Sequence, residues 1–275
     1  KEHRKKILGT KDVGKIEDKY KFYKEIKDEF LTPMTFSVND IDEAAEINEN
    51  HADIQFILKP VQGSGGYDIN LLDNDSSIQF KDGKYILQEY VEGINVSSSV
   101  LSSKCDAKTV VNTRLLTEKD FGIENSFIYI GNILPLTSKS IMADINDIDH
   151  INEAMSETSE KLARKFNLLG SVGIDYILNE NGLYIIEINP RIQGTFECVE
   201  KSLGINMLEA HINACHGKII DIPEPQCYAY KKIIYSPVRM KYEKIDLDNI
   251  YDLPHIGSIT EKSEPLLTII DKDKD

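Results

Sequence analysis

Glu187 and Asn189 stand two residues apart in Ile185-Ile186-Glu187-Ile188-Asn189-Pro190-Arg191. On a strand they face one side, while Ile186 and Ile188 face the other. A carboxylate beside an amide oxygen makes a pair of hard ligands of the kind Mg²⁺ prefers. Asp175 lies in the apolar run Val172–Leu178, and Asn179-Glu180-Asn181-Gly182 reads as the turn that joins this run to the next strand. Paired across that turn, Asp175 reaches the same face as Glu187 and Asn189. An acid among apolar neighbours needs compensation, and a cation supplies it. Arg191 and Gln193 continue the polar cluster past the strand end. The plainer alternative is a solvated sheet face that carries the same residues without chemistry.

A second group is Lys59-Pro60-Val61-Gln62-Gly63-Ser64-Gly65-Gly66, which follows the apolar strand Ile54–Leu58. Glycines after a strand free successive backbone N–H groups to face phosphate oxygens, and Lys59 adds charge. The run matches neither the phosphate loop of nucleoside triphosphatases nor the dinucleotide fingerprint, so a structural turn explains it equally well. With no side chains to anchor them, its glycines predict a segment that opens freely until a ligand orders it. Ile86-Leu87-Gln88-Glu89-Tyr90-Val91-Glu92-Gly93 reads as a strand ending in a hinge whose backbone groups suit an adenine edge. Arg114 offers a bidentate fork for a substrate carboxylate, with a surface ion pair as the alternative. His211 and His216, five residues apart, fall on different faces of a helix and make no metal site with Cys215.

The elements that position these groups are legible from periodicity. Helices are read over Asp18–Phe30, Ile41–Asn50, Ile148–Phe166, Phe196–Leu203 and Met207–Cys215. Strands are read over Tyr85–Val91, Val96–Leu101, Lys108–Thr113, Phe127–Ile130, Leu183–Ile188, Lys231–Tyr235 and Leu266–Ile270. This order is α+β with antiparallel sheets rather than an alternating βαβ chain. The sequence has 275 residues, with 32 Lys+Arg against 46 Asp+Glu and a net charge of −14. That balance argues against a general nucleic-acid binder, since phosphate neutralisation needs clustered cations. No stretch is long and apolar enough for a membrane helix. Four cysteines without a C-x-x-C pair suit a reducing, cytoplasmic setting.

Together and in this order, the three groups resemble the ATP-grasp superfamily. FILKPVQGSGG resembles its lysine strand and glycine lid, LQEYVEG its hinge, SVGIDYIL with YIIEINPR its magnesium hairpin, and IEDKYKFYKEI its opening helix. DLPHIGSITEKSEPLLTII is similar to the C-terminal piece of the biotin-carboxylase-related branch. IYIGNILPL, NPRIQGTFE and AHINACHGK resemble the ATP-dependent carboligase proteins of archaea and methylotrophs. The resemblance implies two α+β subdomains with antiparallel sheets clasping ATP, and an N-terminal α/β domain that is missing or truncated here. The implied division is 1–35 as entry helices, 36–92 as the lid, 93–220 as the large subdomain with the metal site, and 221–275 as a C-terminal β-rich extension.

Carried over residue by residue, the resemblance assigns Lys19 and Lys59 to the ATP phosphates. It assigns Gly63, Ser64, Gly65 and Gly66 to covering the triphosphate, and Gln88, Glu89 and Val91 to the adenine. Asp175, Glu187 and Asn189 would ligate Mg²⁺, with Mn²⁺ able to substitute. Arg191, Gln193 and Arg114 would face the substrate, and Arg191 and Lys59 would neutralise the reacting groups. Asn95 stands where many members place a ribose-binding Glu. The implied activity is carboxylate–amine ligation of small molecules through an acyl phosphate. The alternatives are a carboxylase-like enzyme forming carboxyphosphate and a regulatory module that binds ATP without turnover. The partners implied are a carboxylate and an amine, with room for a homodimer.

Overall fold

Local caps set the first elements. A short helix α1 (Gly14–Glu17) leads into α2 (Lys19–Ile26), where the Asp18 carboxylate accepts the Lys21 N–H and Phe22 and Ile26 turn inward. Strand β1 (Thr35–Val38) follows, and Asp40 caps α3 (Ile41–Asn50) by accepting the Glu43 N–H. Strands β2 (Phe56–Pro60), β3 (Asn70–Leu72) and β4 (Tyr85–Glu89) complete an antiparallel sheet in the order β1-β4-β2-β3. This computed structural model describes residues 8–63, 65–72, 84–123, 126–141 and 147–273.

Two local readings change here. Lys59 and Pro60 pair with Ile86 and Tyr85, so they belong to β2 rather than to the glycine turn. Thr35–Val38 is a strand because β4 offers it a partner edge, a long-range condition that periodicity does not carry.

The rest of the chain builds one large sheet. Strands β5 (Ile94–Ser102), β6 (Ala107–Thr117) and β7 (Tyr129–Leu134) are followed by α4 (Ser138–Ile141) and α5 (Ile148–Lys165). The hairpin β8 (Gly170–Asn179) and β9 (Gly182–Asn189) leads to α6 (Phe196–Leu203) and α7 (Met207–Cys215). Then come β10 (Tyr228–Tyr235), β11 (Met240–Lys241), β12 (Ile250–Tyr251), β13 (Ile259–Thr260) and β14 (Pro265–Asp273). The eight-stranded order is β12-β14-β10-β7-β6-β5-β8-β9, so strands of the C-terminal extension are built into the large sheet itself.

The two faces of this sheet differ. Val96, Ile174, Tyr176 and Ile188 pack on one face with Phe22, Met155 and Leu162 from the helices. On the other face, Leu134, Val111, Ala229 and Ile270 pack with Cys198 and Leu203 of α6 and Met207 of α7. Asp175, Glu187 and Asn189 of this sheet line a cavity that residues of the small sheet close from the other side. Among the described residues, no helix is long and apolar enough to cross a membrane.

Candidate active site

Antiparallel register gathers the acids. Asp175 of β8 lies opposite both Glu187 of β9 and Ser97 of β5, while Gly173 lies opposite Asn189 and Ser99. Asn189 Nδ2 donates to Asp175 Oδ2 at 2.8 Å and reaches Glu187 Oε1 at 3.4 Å, so one amide touches both carboxylates. Burial, and then the charge of Glu187, push the Asp175 carboxyl up to about 7 against hydrogen bonds from Ser97 and Asn189.

The opposing wall is cationic. Lys59 is 3% exposed, and burial together with Lys19 pushes its ammonium down to about 8 while Glu187 pulls it back. Lys19 Nζ donates to the Gly63 carbonyl at 2.9 Å and pairs with Glu187 Oε2 at 3.3 Å. It therefore ties the glycine turn to the acid pair. Gly66 sits at φ +80° with its Cα hydrogen side against the chain, and a Cβ there would stand 1.8 Å from the Phe127 carbonyl oxygen. The turn expected to lack anchors is docked instead, because the Gly65 carbonyl accepts the Tyr129 N–H at 3.1 Å and needs no side chain to do so. Ser64 lies outside the described residues.

Between these walls lies a cavity of about 290 Å³. Lys19, Lys59, Gly63, Gly65 and Gly66 line it from the lid side, and Asp175, Glu187, Asn189 and Arg191 from the large sheet. Gln88, Glu89, Val91 and Asn95 line its hinge end beside apolar Ile57, Leu115 and Ile186. Ile186 is on the cavity side, not the far face that strict alternation gives it, because the β8–β9 register shifts between Asp175 and Tyr176. The Gln88 amide donates to Thr35 Oγ1 at 2.8 Å and Glu89 Oε2 accepts the Met34 N–H at 2.9 Å, so both side chains also brace β1. Gln193 is locked flat over Gly173, where a Cβ would stand 1.6 Å from its Nε2. Its Oε1 accepts from Ser99 at 2.9 Å and its Nε2 donates to Ser97 at 3.2 Å, while Ser97 donates to Asp175 Oδ1 at 2.6 Å.

Arg114 is not brought to this cavity. Its neighbour Leu115 lines the cavity, and strand alternation turns Arg114 to the opposite face. There its guanidinium binds Asp120 Oδ1 at 2.7 Å and the Ser140 and Ile141 carbonyls. In this structure Arg114 makes the ion pair that was its alternative reading and does not line the cavity. Sequence reasoning also missed Ser97, Lys119 and Tyr129, which approach the site through strand pairing and the 118–121 turn, and Tyr67, which follows Gly66 in the glycine turn. His211 Nδ1 accepts the Ser171 N–H at 2.9 Å, which makes it a packed histidine beside Gly170.

Asp175, Glu187 and Asn189 suit a hard divalent cation: two carboxylates share one point, and rotation of the Asn189 amide would add its oxygen. Among the described residues, no three His, Cys, Asp or Glu side chains gather as a complete metal cage. A cation here would therefore draw the rest of its shell from its ligand and from water.

A family model described as an ATP-grasp domain matches residues 16–195, a span that holds every one of these site residues. The chain belongs to the ATP-grasp family. An uncharacterized protein of Methanocaldococcus jannaschii is similar to this ATP-grasp chain at 30% identity over 272 residues, covering 96% of the chain and 63% of the relative. The biotin carboxylase domain of the Hydrogenobacter thermophilus 2-oxoglutarate carboxylase, solved with MgADP, ADP and bicarbonate, gives a TM-score of 0.69 at 18% identity. That likeness covers 94% of this chain and 62% of the other. An L-amino acid ligase from Bacillus licheniformis gives 0.70 at 16% identity, covering 95% and 68%. Identities this low establish a common fold.

Proposed function

We propose that this ATP-grasp chain works as an ATP- and Mg²⁺-dependent ligase that joins a small-molecule carboxylic acid to an amine. The observation that carries the reading is the single cavity in which Lys19 and Lys59 face Asp175, Glu187 and Asn189, with Arg191 and Gln193 at its edge. Lys59, Lys19 and the backbone of Gly63–Gly66 would hold the phosphates, and the hinge at Glu89–Val91 the base. Asp175, Glu187 and Asn189 would hold Mg²⁺, which neutralises phosphate charge when bound. Arg191 and Gln193 would orient the acid.

In this reaction a carboxylate oxygen attacks the γ-phosphorus of ATP, and the bond to ADP breaks. The amine then attacks the acyl carbon, phosphate leaves, and the nitrogen gives up a proton. The chain's part is to place these groups, shield them from water and hold the charge. Two structural likenesses support the reading without fixing the substrate: one neighbour binds MgADP and another is an amino acid ligase. A cytoplasmic enzyme, with a homodimer as its assembly, belongs to the same proposal.

The test measures phosphate release with ATP alone, with bicarbonate, with candidate acids, and with acids plus hydroxylamine. Acid-dependent release and a trapped hydroxamate are expected. Release only with bicarbonate would replace the ligase with a carboxylase, and tight MgATP binding without turnover would replace it with a regulatory module.

A further inference from the structure

We propose that Glu197, with the buried Lys231 as its positioning residue, holds the amine partner in unprotonated form at the end of the cavity away from the hinge. Strand β8 separates the two ends. Gly93 of the hinge lies against Leu178, whereas Gln193 lies over Gly173, roughly 16 Å back along the strand. Gln193, Gly194 and Thr195 line the cavity, and α6 begins immediately after them. Helix side chains lean toward the N-terminus, so Glu197 in the first turn leans back toward this wall. Its side chain keeps 28% exposure.

Lys231 of β10 is a charge that the ligase chemistry described above leaves unused. It is 8% exposed, and its ammonium donates to Glu197 Oε1 at 3.4 Å and Oε2 at 3.3 Å. As scaffold, a buried ion pair gains little, because desolvation offsets the attraction. Two residues back, Ala229 shows the apolar kind of residue that the same strand face packs under α6. Opposite Lys231 in the β7 register stands Asn132, whose Nδ2 donates to the Tyr129 hydroxyl at 2.7 Å. Tyr129 lines the cavity, so one polar line runs from Lys231 to the cavity wall. Burial strengthens the hold of the Tyr129 hydroxyl on its proton, and the charges of Asp175 and Glu197 both reach it and add to that.

An amine attacks through its free lone pair, which an ammonium ion lacks. A bare carboxylate would favour the ammonium ion. Lys231 cancels the Glu197 charge, while the carboxylate oxygens keep lone pairs that can accept an amine N–H. In the attack the nitrogen–carbon bond forms as the bond from carbon to the phosphate oxygen breaks, and the surplus proton leaves on the phosphate. The other titratable groups around the pair are Tyr129 of β7, Cys198 and Lys201 of α6, and Asp175 of β8 with Arg191 beside it. The amine's part in turnover rests on the proposed ligase reading, whereas a site for a neutral amine does not.

The probe is methylamine, titrated by NMR into the full chain without nucleotide at about pH 7 and about pH 9 and at matched ionic strength. Wild type should bind it about tenfold more tightly per pH unit, following the neutral fraction of an alkylamine. Glu197→Gln should bind about tenfold more weakly at both values, the loss of one hydrogen bond to a charged group. Lys231→Gln should bind more tightly than wild type at the lower pH and lose most of the pH dependence, because the uncompensated Glu197 takes the ammonium ion. Lys231→Arg keeps the charge and should match wild type. Lys59 loses its proton near about 8 in all these proteins, so the differences between variants decide. Absent or pH-independent wild-type binding would overturn the proposal. So would wild-type binding by Glu197→Gln, or wild-type pH dependence in Lys231→Gln, the outcome of a purely structural ion pair. Methylamine binding as expected, with no acid-dependent phosphate release, would overturn the ligase reading alone.

Discussion

The small sheet and the large sheet bring opposite charges to one cavity, and both charges are held uncomfortably. Lys59 enters from β2, where burial weakens its hold on a proton. Asp175 enters from β8, where burial and Glu187 strengthen its hold on one. Each group is poorly served by its own sheet, and the Lys19–Glu187 ion pair at 3.3 Å joins the cationic wall to the acidic one. A polyanion against the lysines and a divalent cation against the acids would relieve both at once. The difference teaches that neither wall is a binding site by itself. Each sheet presents half of a charge pattern that a metal–nucleotide complex would complete.

Removing one half should have the largest effect. Glu187→Gln takes away a proposed metal ligand and should lower ATP-dependent turnover at least about 100-fold. Its melting temperature should move little, because losing the Lys19 contact is offset by relief of Asp175. An active but strongly destabilised variant would assign Glu187 to structure only.

The lysine half gives a pH signature. In the folded chain Lys59 loses its proton near about 8 rather than at the ordinary 10.5. The unfolded state therefore binds the extra proton between those values, and wild-type stability rises with pH across that window. Lys59→Met should stabilise the chain below pH 8 by up to about 3 kcal/mol, with the gain shrinking towards pH 10.5. The same variant should bind MgATP at least about tenfold more weakly. Denaturant melts at several pH values and a calorimetric titration check both, and a pH-independent ΔΔG would contradict the buried charge.

Two further substitutions sharpen the contrast between cavity and scaffold. Arg114→Met removes a mostly buried partner of Asp120 and should cost about 3 kcal/mol of stability. Any loss of its turnover should follow from unfolding, with KM for ATP unchanged, as melts and initial rates would show. Lys119→Ala should have the smallest effect. Its ammonium contacts the Tyr90 hydroxyl at 2.8 Å and Glu92 at 3.3 Å from a half-exposed position, worth about 1 kcal/mol or less.

Much of the site was legible because its parts lie in local patterns. Alternation around Glu187 and Asn189, with a hairpin turn before them, foretold that Asp175 would share their face, and the register puts it there. Helices α3, α6 and α7 run over the residues their apolar spacing and caps predict. The placing of Arg114 off the cavity was not legible, because the sequence does not say how far β6 runs or which face meets the cavity. The Gly65 carbonyl contact was not legible for a related reason: side-chain content says nothing about a backbone carbonyl that finds Tyr129 across the gap.

The sequence by itself determined the longer helices and most of the long strands, the pairing of acid and amide on one strand face, and the lysine–glycine order that marks the family. These depend on periods of two and 3.6 residues and on neighbours a few positions apart. Tertiary structure alone decided that Ser97 would link Asp175 to Gln193 and that Gly173 would make room for that amide. It alone brought the Tyr235 hydroxyl of β10 to the Tyr129 carbonyl of β7. Such contacts join residues dozens to more than a hundred positions apart, and only sheet register and strand bulges fix them.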